Sequence, residues 1–236
     1  MQNQLQALTS QFFEANLALN LFVASSSTPS FASRDAWERD AQRRSEIRNA
    51  VESELGGWGV ADWEAVHLES ELRFKREKWS NGSVPREFEH KVPFLYARAF
   101  LYALDAFDKI LGALSREPQV PSQVSDWHAQ VEVQFPHLRG VRNTSQHVED
   151  RGRGLGAGRN PQPLDLKPID NNFIKAPGGA LVLNSLNGSR YGSTMADGHY
   201  GEIDVSPQSM EQVQRILVGV LGSFRWQGPK QHLPHA

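Results

Sequence analysis

The sequence predicts a mainly α-helical fold: a helical bundle, then a small three-stranded antiparallel β-meander, then a C-terminal helix. Three observations carry this. Apolar residues recur at helical spacing through the first two-thirds of the chain. A Gly- and Pro-rich stretch from Gly152 to Pro168 interrupts that pattern. Beyond it, three short β-prone runs are separated by Asn187-Gly188 and Asp197-Gly198, dipeptides suited to hairpin turns that need positive φ.

The elements follow in order. Leu5, Leu8, Phe12, Leu17, Leu19, Phe22 and Val23 define a first helix, stopped by the Ser25-to-Pro29 cluster. Ser33 is placed to cap a second, which turns Ala36, Trp37, Ala41, Ile47 and Val51 inward and ends at Gly56-Gly57. Asp62 caps a third, closed by Asn81-Gly82. The run from Pro93 to Arg116 is apolar on most faces, which suits the middle of a bundle or an interface with a second subunit. Pro118 and Pro121 break the chain, Ser122 caps a shorter helix, and Pro136 opens another that contains His137 to Arg151. The runs 179–186, 189–195 and 199–205 read as strands, and Ser206-Pro207 starts the final helix. The tail from Gly228 is expected to be loose. The segments are therefore a bundle over 1–151, a loop over 152–178, and a meander plus helix over 179–227 packed on the same domain.

Composition removes several function classes. With 39% apolar and 22% charged residues, six Trp and twelve Phe, a disordered or collagen-like chain is excluded. The absence of Cys removes a disulfide scaffold, a thiol nucleophile and any cysteine-based zinc site. No apolar run approaches the roughly 18 residues that span a bilayer, so no membrane association and a cytoplasmic location are expected. A formal net charge of −2 argues against general DNA coating, though a local basic site remains compatible with it.

One segment carries chemistry: Arg142-Asn143-Thr144-Ser145-Gln146-His147. On a continuous helix Asn143 and His147 share one face about 6 Å apart, with Arg142 about 140° round but long enough to reach the same site. An imidazole titrates in the range suited to moving a proton as general acid or base. A guanidinium supplies a fixed cation against developing negative charge, as on phosphorus. Asn143 is placed to orient His147 or hold a phosphate oxygen. The plain alternative is a surface helix whose Arg and His are simply solvated.

An Arg, a polar neighbour and then a His a few positions on, carried by a helix that follows a long apolar one, resembles the HEPN family (higher eukaryotes and prokaryotes nucleotide-binding domains). The resemblance covers the helical part, best between Val92 and Arg151, and leaves the meander outside. It implies an α-helical bundle and, as in many members, a metal-independent ribonuclease that works as a homodimer, of toxin or defence-effector type. Carried over, Arg142 matches the motif arginine, Asn143 its polar neighbour and His147 the motif histidine. An antitoxin partner of nucleotidyltransferase type would also fit that family. The alternative is a non-catalytic module that binds nucleotide or RNA through the same helical dimer.

Other candidates rank lower. Arg139, Arg151 and Arg153 flank the motif, together with Arg159, and extend a phosphate-binding surface for RNA or nucleotide in this reading. The glycines from Gly152 to Gly158 follow no strand and precede no Lys-Ser or Lys-Thr, so they read as a flexible loop. His67, His90 and His128 lack paired ligand spacing, and no metal or other cofactor is expected. Ser145 lacks the context of a hydrolase nucleophile. Asp105 and Asp108 are expected to pair with Arg98 or Lys109 as ordinary surface charges.

Overall fold

A computed structural model describes residues 1–27, 34–227 and 233 of the chain. They fall into two units, Met1–Ala24 with Pro93–Ala236, and Ser25–Val92. The expected segment limits at 151/152 and 178/179 therefore both lie inside the larger unit. Ser33, and the tail from Gly228 apart from Leu233, lie outside the described residues.

The smaller unit contains α2 (Arg34–Glu54), α3 (Trp63–Ser80) and the single turn α4 (Arg86–Glu89). Ile47, Val51, Val66 and Phe74 form its small core. Trp37, expected to face inward, is exposed. The Asp62 side chain caps α3 by accepting from the Glu64 N–H, and Gly82 takes the positive φ that closes it.

In the larger unit α5 (Val92–Leu114) runs through the core and buries Phe100, Leu101, Leu104, Phe107 and Leu111 among others. The first helix, α1 (Gln2–Ser27), adds Leu5, Leu8, Phe12, Leu19 and Phe22. Leu17 and Val23, expected to join them, are exposed. Next come α6 (Gln123–Gln134) and the final helix α9 (Pro207–Gly222). They pack closely because Gly219 has no side chain: a Cβ there would lie 2.2 Å from the Trp127 ring. Ser206 caps α9 by accepting from the Ser209 N–H, whereas Ser122 makes no side-chain cap to α6.

Residues 135–152 do not form the single helix expected. The chain makes α7 (Leu138–Gln146), breaks at His147 with φ −119° and ψ 44°, and resumes as the short α8 (Val148–Gly152). The 152–178 stretch is mostly loop, with a two-residue antiparallel ladder between β1 (Ile169–Asp170) and β2 (Lys175–Ala176).

The meander is present as β3 (Ser185–Asn187), β4 (Arg190–Thr194) and β5 (Tyr200–Asp204), antiparallel and in that order. Its first strand is shorter than expected, because Val182 pairs with Thr194 only through local bonds. The helix α7 is mounted on this sheet. Gly140 of α7 lies against Met195, where a Cβ would come within 2.2 Å of the sulfur, and buried Thr144 donates to the Thr194 carbonyl at 3.0 Å. The fold is thus mainly α, with a small antiparallel sheet beneath the helix that carries the motif.

Candidate functional site

Arg142 leaves α7 toward α5, and its Nε lies 2.7 Å from Oδ2 of Asp105. Both side chains are largely buried, at 13% and 10% exposure. The Nε–H is not aligned on that oxygen, so the contact is an ion pair rather than a good hydrogen bond. The Arg142 Nη1 donates to Oδ1 of Asn143 at 2.7 Å and to Oε1 of Gln146 at 2.8 Å. Lys109 Nζ sits 2.7 Å from the same Asp105 oxygen. One carboxylate between two cations leaves the trio with one net positive charge.

Asp105 is therefore buried and not the surface charge expected, and its partners are Lys109 and Arg142, not Arg98. Asn143 binds the guanidinium rather than His147. With the helix broken at 147, those two residues are joined by a backbone bond, His147 N–H to the Asn143 carbonyl at 3.0 Å.

His147 itself stands in the open, its side chain 57% exposed. Glu149 Oε1 lies 3.5 Å from Nδ1, and Nε2 meets no partner among the described residues. Asp150 is also near: ligand atoms of His147, Glu149 and Asp150 all fall within 4.8 Å of one another, a grouping that could accept a metal ion.

The three flanking arginines separate. Arg139 and Arg153 are exposed, with Arg153 3.8 Å from Asp150. Arg151 is not a surface cation. It is 1% exposed, and its Nη1 donates to the Leu155 and Gly156 carbonyls at 2.6 Å each, holding the loop after α8.

Asp105 meets Arg142, while Asp108, three residues on, feels the charge of Arg139, three residues back. Burial pushes the Asp108 carboxyl above its ordinary range, and His128, with Nε2 3.1 Å away, and Arg139 oppose that shift.

Sequence reasoning missed a polar cluster further along α7, at Ser145. Ser145 Oγ lies 3.3 Å from the hydroxyl of Tyr191 and 3.4 Å from Oδ1 of Asn184, and the Tyr191 hydroxyl donates to that Oδ1 at 2.7 Å. Tyr191 lies on β4 and Asn184 just before β3, about 40 residues beyond the motif, and no local pattern links them to it. A separate groove of about 510 Å³, lined by His137, Arg190, Tyr200, Glu202 and Asp204 among others, includes none of Arg142, Asn143 and His147.

Fold and site together define a mainly α-helical protein whose Arg-Asn-x-x-x-His segment is mounted on a three-stranded meander. Compared with family models, curated proteins and solved structures, the chain matches none.

Proposed function

We propose that the protein is a metal-independent endoribonuclease of HEPN type, acting on RNA as a homodimer, in keeping with a toxin or defence effector. The observation that carries this reading is the break at His147. It leaves an imidazole exposed, with a carboxylate against Nδ1 and Nε2 free, five residues after a guanidinium fixed by three side chains. An exposed imidazole whose Nε2 is free to meet substrate is a serviceable general base.

In this reading Nε2 of His147 takes the 2′-hydroxyl proton as the 2′ oxygen attacks phosphorus. The 5′ oxygen leaves with a proton from water or from His147 of a second copy, and one product ends in a 2′,3′-cyclic phosphate. Arg142, in a trio with one net positive charge, supplies positive potential against the charge that builds on the phosphorane. Asn143 holds the guanidinium in place. Exposed Arg139 and Arg153 would receive flanking phosphates.

A specific observation favours a second reading, a non-catalytic module that binds RNA or nucleotide. The Nε and Nη1 of Arg142 are already engaged within the chain, and one chain offers a single imidazole at the motif. The test is to incubate the protein with single-stranded RNA, and with DNA of the same sequence, in excess EDTA. Cut RNA with cyclic phosphate ends and intact DNA support the ribonuclease. RNA bound but not cut supports the binding module, and cutting that requires added Mn²⁺ or Zn²⁺ points instead to a metal on His147, Glu149 and Asp150.

A further inference from the structure

In the smaller unit α2 and α3 form an antiparallel hairpin. Asp40 pairs with Lys78, Arg43 with Glu77 and Glu54 with Arg73, so the α3 partner steps back as α2 advances. Gly57 and Gly59, on either side of Trp58, take positive φ in the connecting loop. Backbone bonds close that loop, from the Gly57 N–H to the Glu52 carbonyl and from the Val60 N–H to the Gly57 carbonyl. Trp58 is thereby held out in solvent at 91% exposure, with Leu55, Val60 and Trp63 also exposed around it. Such a concentration of large apolar side chains at one tip is the mark of an interaction surface.

The two ends of the hairpin carry opposite charge. Residues 49–72, which include the tip, hold six carboxylates and no Lys or Arg. Residues 34–48 with 73–91 hold eleven Lys and Arg against seven carboxylates. Among the described residues the hairpin's ion pairs use neither Glu52 and Glu64 near the tip nor Arg39 and Arg76 at the other end. The basic end also holds a pocket of about 210 Å³, lined by Arg39, Arg43, Phe74 and Lys78 among others. Cations around an aromatic side chain suit the face of an indole. Because α2 is 21 residues long, about 30 Å, Trp58 cannot reach this pocket in its own chain.

We propose that the α2–α3 hairpin is a self-association surface. Two copies of the chain pair their hairpins antiparallel about a two-fold axis, and Trp58 of each seats in the Arg39, Arg43 and Phe74 pocket of the other. The symmetry makes the contact twice, each time setting an acidic tip beside a basic end. Parallel pairing would set the two acidic tips together and is disfavoured. An anionic lipid surface is repelled by the same carboxylates, whereas a second copy supplies both the cations and the pocket. The pairing gives a face to the homodimer of the function proposed above, but it rests on the hairpin alone and not on the catalytic reading.

The experiment is sedimentation velocity of the full chain over a range of concentration and salt. Wild type should sediment as monomer and dimer in equilibrium, with a dissociation constant that rises with salt. Trp58→Ala should raise that constant about tenfold or more, as for the loss of an interface anchor. Glu64→Lys and Arg39→Glu should each dimerise poorly alone, because each reversal sets like charges together at both contacts. Their equimolar mixture should dimerise again, since the reversed pair meets at one contact and the native pair at the other. Circular dichroism confirms that each variant is folded, and Arg76→Glu replaces Arg39→Glu if that variant does not fold. A wild type monomeric at every concentration overturns the pairing, as do variants that dimerise like wild type or a mixture no more dimeric than its components. A monomeric wild type whose tryptophan emission shifts blue with phosphatidylcholine vesicles, a shift absent in Trp58→Ala, also overturns it and gives the tip to a lipid surface. Monomeric protein that cuts RNA removes the pairing and keeps the ribonuclease. A hairpin dimer that never cuts RNA does the reverse.

Discussion

Nε of Arg142 and Nζ of Lys109 each lie 2.7 Å from the same carboxylate oxygen of Asp105, in the interface between α5 and α7. A carboxylate this buried is held by its two cations, and removing it would leave the guanidinium enclosed without a counter-charge. Asp105→Ala should therefore lower the unfolding free energy by about 3 kcal/mol. Urea denaturation followed by circular dichroism measures it. A loss under about 1 kcal/mol, the range of exposed ion pairs, would show that the Arg142 position does not depend on Asp105.

Gly198 sits in the turn between β4 and β5 with φ +84°, and a Cβ there would lie 1.9 Å from the Asp165 carbonyl oxygen. Its own carbonyl accepts from the Lys167 N–H at 3.0 Å, so the turn binds the 165–167 segment through backbone alone. Both the backbone conformation and the space require glycine. Gly198→Ala should cost about 2 kcal/mol or more, read as a shift in the denaturation midpoint. Gly152→Ala, with nothing near its Cβ, should change stability little.

Tyr200 packs over Gly192 with its hydroxyl 2.7 Å from Ser185 Oγ, and burial pushes its phenol up to about 12. A raised acid pKa means the folded state keeps the proton that the unfolded chain releases. The stability it contributes is whole below pH 10 and is lost as pH rises from 10 toward 12. Absorbance titration at 295 nm should show a phenol ionising near pH 12, and Tyr200→Phe should remove that component and flatten the loss of stability over the same window. A Tyr200→Phe titration identical to wild type would contradict this.

Much of the fold is legible in residue patterns, because those patterns act locally. The caps at Asp62 and Ser206, the glycine stop at Gly56-Gly57 and the turns at Asn187-Gly188 and Asp197-Gly198 each satisfy backbone groups within a few residues. The long α5 was readable for the same reason. The break at His147 was not, since no Gly or Pro marks it. It coincides with Arg151 being drawn inside to bond the Leu155 and Gly156 carbonyls, a tertiary demand. For that reason Arg151 looked like a surface cation and is not one. The division of the helices into two units also has no local signal, since α2 and α3 have the same amphipathic look as the rest.

Of the site, the motif residues could be singled out, but their partners could not. Asp105 lies 37 residues before Arg142 and Asn184 37 residues after His147, and only packing brings Asp105 to Arg142 and Asn184 to Ser145. The expected bond from Asn143 to His147 fails because Asn143 is one of the two side chains nearest the Arg142 Nη1.

The most direct measurement is the rate at which purified protein cuts single-stranded RNA in EDTA, wild type against His147→Ala. The account predicts a loss of about a hundredfold or more in the variant, with its circular dichroism and melting curve unchanged, the effect expected of removing a general base. Equal rates for the two proteins would contradict the assignment of His147, and no cutting by the wild type would contradict the ribonuclease itself.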